Sequence, residues 1–110
     1  MFGILGMINN YELRKVANTQ VGGASIDTCA VTDSARPYET GIKHSRYNDG
    51  WWIIVQLYDS KEEAEVGHKK WVELFSRDEL PPRLVDVNES CFSQAFGGVG
   101  RGEYELRPQE

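Results

Sequence analysis

A chain of 110 residues with 40% hydrophobic and 26% charged side chains has the size of one domain and the balance of a globular protein. Its net charge of -5 argues against non-specific attraction to nucleic acid, and the nearest basic group is only Lys69, Lys70 and Arg77. The apolar opening MFGILGMI lacks a basic leader region and is far shorter than the ~20 residues of a membrane-spanning helix, so neither a signal peptide nor a membrane span is expected.

Residues 1–10 read as an apolar arm. Phe2, Ile4, Leu5, Met7 and Ile8 need cover from the core or from another subunit, which makes them a candidate interface. Residues 11–20 have strand character. Gly22-Gly23 suits a tight hairpin turn, because glycine enters positive φ without steric cost. The return strand, 24–32, has no cleanly polar face and is expected inside a sheet, ending where Pro37 cannot donate to a ladder. A further strand-like run, 38–47, leads into Asn48-Asp49-Gly50, a hairpin signal.

The next run, WWIIVQLY (51–58), is apolar on both alternate sets and is expected at the centre of the fold, covered on both sides. Ser60 followed by Glu63 is a capping box opening a helix over 60–76. Ala64, Gly67, His68, Trp71, Leu74 and Phe75 recur at three- and four-residue steps and form its buried stripe. Residues 83–87 are expected as a short edge strand. A brief helix is expected to follow from Asn88 to Phe96, ended by Gly97-Gly98. The tail 97–110 is flexible by composition, with Tyr104 and Leu106 as possible anchors. The expected fold is therefore α+β: a mainly antiparallel sheet of four or five strands, one long helix packed on it, and a short C-terminal helix, all in a single domain, 1–110.

Chemistry is weakly signalled. Gly67 costs about 1 kcal/mol against alanine inside a helix. Close packing on Trp51 or Trp52 would offset that cost, and His68 beside it reads as a packed side chain with one ring nitrogen hydrogen-bonded. His44, His68, Cys29 and Cys91 include no close-spaced ligand pair, so neither a metal nor another cofactor is expected. The two cysteines read as free thiols of a reducing compartment. Cys29, His44 and Asp27 lack the turns that surround a catalytic nucleophile. The carboxylates Asp27, Asp33, Glu39 and Asp59 suit turn, cap and surface positions, and GGVGRG (97–102) lacks the Lys-Ser/Thr of a phosphate-binding loop.

One longer pattern stands out. It comprises Asp27-Thr28, Val31-Thr32-Asp33, Pro37-Tyr38-Glu39-Thr40, His44, Tyr47-Asn48 and Gly50. It continues through Trp52-Ile53-Ile54-Val55, Tyr58-Asp59, Glu62-Glu63-Ala64, Gly67-His68 and Trp71. Over 27–75, with a weaker echo in 80–87, the chain resembles a family of small proteins encoded by tailed bacteriophages and prophages. That family carries no assigned reaction.

The resemblance implies a protein made in the host bacterial cytoplasm, free there or built into a virion. Asp27, Asp33, Tyr38, Glu39, His44 and His68 are its candidate functional surface. The expected function is non-enzymatic and exercised through protein–protein contacts, in a homo-oligomer or a virion assembly. The alternatives are an inhibitor of a host defence protein and a small enzyme built around Asp27, Asp33, His44 and His68.

Overall fold

The computed structural model describes residues 12–32, 35–87 and 102–108. Its first hairpin joins β1 (Lys15–Val21) to β2 (Ala24–Ala30) through Gly22 and Gly23, at φ 54° and 78°. Both glycines take the left-handed backbone of a two-residue hairpin turn, whose twist matches that of the strands. β3 (Tyr38–Lys43) and β4 (Ile53–Tyr58) complete a four-stranded antiparallel sheet in the order β1-β2-β3-β4. Helix α1 (Lys61–Phe75) lies across one face and touches all four strands. β5 (Arg83–Val85) and β6 (Glu103–Glu105) form a separate two-stranded antiparallel sheet. The fold is α+β.

Alternation decides what faces the helix. Ala24, Ile26 and Thr28 of β2 and Thr40 and Ile42 of β3 are buried beneath it, with Ile53 and Val55 of β4. Two bulges adjust the pattern. Val16 is the extra residue of β1, between the pairs Lys15–Cys29 and Ala17–Thr28. Val55 is the extra residue of β4, between Gly41–Ile54 and Thr40–Gln56. A bulge reverses the side on which the following residues fall. The second one therefore puts Ile53 and Val55 on the same face as Gln56 and Tyr58. Ile54 and Leu57 fall on the far face.

The hydrophobic core sits between the sheet and α1, where Ile26, Ile42, Ile53 and Phe75 are within 1% of full burial. Each such side chain stabilises the fold by ~1.5–3 kcal/mol relative to exposure. Tyr47 closes one end. Its ring meets those of His44 and Phe75 at 5.4 and 6.0 Å, and its hydroxyl donates to the Pro81 carbonyl at 2.6 Å. Leu84 of β5 joins the same core, and Leu106 N–H and Arg107 N–H bind the carbonyls of Pro82 and Arg46.

Several expectations change. The 51–58 run is not the centre of the sheet: β4 is a terminal strand beginning at Ile53, and Trp51 and Trp52 precede it at 71% and 44% exposure. Alternation shows which residues share a side but carries no information on which strands lie next to each other. Asn48-Asp49-Gly50 is a single 3₁₀ turn with all three residues at positive φ (49°, 53° and 83°), inside a connection running from 44 to 52. Strand β1 starts at Lys15, after a helical stretch at 12–14, rather than at residue 11. The tail is not uniformly flexible, since 103–105 is a strand paired with β5. The apolar arm 1–10, with Phe2, Ile4, Leu5, Met7 and Ile8, and the short helix 88–96 lie outside the described residues, as do Asp33 and Cys91.

Candidate functional site

Polar side chains that are buried or half-buried between the sheet and α1 form one connected row. Thr19 of β1, Thr28 of β2, Thr40 of β3 and Tyr58 and Gln56 of β4 all point at the helix, which contributes His68 and Trp71. Their contacts run Thr19 Oγ1–His68 Nε2 at 2.9 Å, His68 Nδ1–Thr28 Oγ1 at 2.7 Å and Thr28 Oγ1–Thr40 Oγ1 at 2.6 Å. They continue with Thr40 Oγ1–Tyr58 OH at 2.9 Å, Tyr58 OH–Gln56 Oε1 at 3.2 Å and Trp71 Nε1–Gln56 Oε1 at 2.8 Å. Every strand of the large sheet supplies at least one member.

The direction of this chain follows from its end. An indole N–H can only donate, so Gln56 must turn its carbonyl oxygen toward Trp71. Tyr58 then donates to that oxygen and must accept from Thr40, which accepts from Thr28. Thr28 accepts from His68 Nδ1–H. The chain thus fixes a proton on Nδ1, and in the neutral ring Nε2 accepts from the Thr19 hydroxyl. Burial pushes its imidazole below the ordinary value, and Asp27 pulls it partway back. No buried side-chain nitrogen or oxygen among the described residues lacks a partner. The row is thus fully satisfied, the condition under which a buried polar network rigidifies a fold.

Gly67 belongs to the same arrangement. A Cβ on it would stand 2.3 Å from Cε1 and from the hydroxyl oxygen of Tyr58. The bare backbone is what allows the Tyr58 ring, 3% exposed, to lie between helix and sheet and reach Thr40. The close approach expected of Gly67 is real, but its partner is Tyr58 of β4 rather than either tryptophan. Trp71, expected to be buried, is half-buried and hydrogen-bonded.

The remaining candidates go elsewhere. His44, just past β3, places Nε2 at 3.2 Å from the Gly22 carbonyl and accepts the Arg46 N–H on Nδ1 at 3.1 Å. Both ring nitrogens are spent pinning the first hairpin to the 44–52 connection. Asp27 and Glu39 lie on the face opposite α1, where Asn18 donates to Asp27 at 2.9 Å. Between them is Cys29, a free thiol pushed up to about 11 by burial, then by the charges of Asp27 and Glu39. It is a poor nucleophile at neutral pH, because only the thiolate attacks. Tyr38 is half-buried on the helix side of β3, opposite Tyr58. Of the described candidates, then, Asp27 and Glu39 share the far face, while His44, His68 and Tyr38 lie apart from it and from one another's contacts. Sequence reasoning missed Thr19, Thr28, Thr40, Gln56 and Tyr58 as a group. The signal was available only as a threonine at the inward position of successive strands.

The far face has its own character. Toward β1 it is polar, with Asn18, Gln20, Ser25, Asp27 and Glu39; toward β4 it is apolar. There the Trp52 ring lies over Gly41, whose absent Cβ would meet Trp52 Cε3 at 3.3 Å and Ile54 Cδ1 at 3.4 Å. Gly41 is a flat floor for an aromatic ring. Among the described residues no group of three His, Cys, Asp or Glu side chains is placed to hold a metal ion, and no helix is long and apolar enough to cross a membrane. Comparison with family models, with curated proteins and with solved structures returned no match.

Proposed function

We propose that this chain is a phage- or prophage-encoded, non-enzymatic protein that acts through protein–protein contacts, its first partner being further copies of itself in a homo-oligomer or a virion assembly. The observation that carries the reading is the exposure of Trp52, 44%, beside the half-buried Ile54 at the β4 end of the far face, with Trp51, 71% exposed, next to it in the chain. Tryptophan is among the residues most enriched where interfaces are energetically concentrated, because its burial removes a large apolar area while the indole N–H keeps a polar handle.

The dispersal of Asp27, His44 and His68 over separate parts of the fold supports a binding role over catalysis. The polar row beneath α1 supports the same view, since its members are occupied with one another. The resemblance over 27–75 supports the phage origin, and with it a place in the bacterial cytoplasm or in a virion. The net charge of -5 weighs against nucleic acid as the partner.

Size-exclusion chromatography with light scattering at micromolar concentration is the test. The expected result is a mass above the 12.5 kDa of one chain. It should fall toward that of one chain in Trp51→Ser, whose melting temperature should stay near that of the parent because the side chain is mostly in solvent. A parent protein that elutes as a monomer overturns self-association. An assembly indifferent to Trp51→Ser and to Trp52→Ser removes the tryptophan surface from the account.

A further inference from the structure

We propose that the cleft between the Gly22-Gly23 turn, the C-terminal end of α1 and residues 44–46 binds a small organic anion, with a phosphate or carboxylate head and an apolar body. The cleft has a volume of about 930 Å³, within the range of small-molecule sites. Its walls carry three arginines, Arg46, Arg77 and Arg107, against one carboxylate, Asp78. Two further carboxylates, Glu73 and Asp49, pair with Arg77 and Arg107, which leaves Arg46 as the lining guanidinium with no ion-pair partner among the described residues.

The arginines are held rather than consumed. Arg46 donates through Nε to the Arg107 carbonyl at 2.7 Å, and no acceptor among the described residues takes its two terminal nitrogens. Arg77 gives one terminal nitrogen to Glu73 at 3.0 Å, and Arg107 gives one to Asp49. Each guanidinium therefore keeps donors of its planar fork, the geometry that matches two oxygens of a phosphate or carboxylate.

The end of a helix is normally hostile to an anion, because its last carbonyls point outward. Here Ser76 N–H covers the carbonyls of Val72 and Glu73, the Ser76 hydroxyl covers Glu73 again at 2.7 Å, and the Phe75 carbonyl is turned against the backbone of Gly22. Val21, Phe75 and Leu80 supply an apolar part of the lining, which suits the body of the ligand. His44 also borders the cleft, but both its nitrogens are engaged, so it shapes the wall. This site is separate from the tryptophan surface and does not depend on it.

The probes are phenyl phosphate, inorganic phosphate and phenol, titrated at constant ionic strength while amide and arginine Nε–H resonances are followed by NMR. Phenyl phosphate should give saturable shifts at Gly22, Gly23, Ser45 and the Arg46 side chain. It should bind more tightly than inorganic phosphate, which has the head alone, and far more tightly than phenol, which has the body alone. Arg46→Gln should weaken phenyl phosphate about tenfold, the weight of one charge-assisted hydrogen bond. Should that variant lose its folded spectrum, Arg77→Gln, whose exposed side chain donates to Glu73, takes its place with the same expected loss. No saturable shift with phenyl phosphate, equal binding of phenol, or unchanged affinity in the folded variants overturns the proposal.

Discussion

Gly67 marks the point where α1 comes closest to the Tyr58 ring, and its substitution separates local preference from packing. Alanine would favour the helix by about 1 kcal/mol over glycine. Its Cβ would also drive into Tyr58 at 2.3 Å, and forced overpacking of a core costs ~1–3 kcal/mol. Gly67→Ala is therefore expected to lower stability in denaturant titration, whereas helix propensity alone forecasts a gain. His68 supplies a second expectation. The unfolded chain takes a proton at the ordinary histidine value, about 6.5, while the buried ring resists it. The contribution of His68 is thus fully present above that pH and declines as pH falls through the window between 6.5 and the lowered folded value. Subtracting the stability–pH curve of His68→Gln from that of the parent should isolate this slope, and two parallel curves would contradict it. That His68 packs with a bonded nitrogen was legible from the helical stripe. Its partners were not, because Thr28 and Thr19 lie 40 and 49 positions away in the chain.

Elements show the same division. Helix α1 was readable because its signals are local: Ser60 Oγ accepts the Glu63 N–H at 3.2 Å, as the capping box requires. The reciprocal bond shifts by one residue, with Glu63 Oε2 taking the N–H of Asp59 at 3.3 Å rather than that of the cap itself. Ser60→Ala should cost about 1 kcal/mol, measured by thermal unfolding, since it strips an exposed cap and little else. Strand β4 was half-readable. Its existence follows from a β-branched and aromatic run, but strict alternation assigns Ile53 and Tyr58 to opposite faces. The bulge at Val55 puts both under the helix. Nothing in WWIIVQLY announces that extra residue, because a bulge answers to the strand alongside.

Taken whole, the molecule is fastened at its far end by a short segment that composition dismisses. β6 pairs with β5, Tyr104 and Leu106 pack against the core, and Arg107 N–H binds the Arg46 carbonyl. Ending the chain after Arg101 should therefore cost about 2–3 kcal/mol, the burial of two partly covered side chains, and lower the melting temperature accordingly. A tail that merely trailed in solvent would leave the transition unmoved. The α+β class, the Gly22-Gly23 hairpin and the amphipathic helix were all present in the order of residues. Each rests on dihedral preferences and contacts within a few positions. The edge position of β4, the exposed tryptophans, the polar row across four strands and the arginine-lined cleft were decided by the assembled chain alone. They depend on which distant segments lie side by side, and neither periodicity nor propensity carries that information.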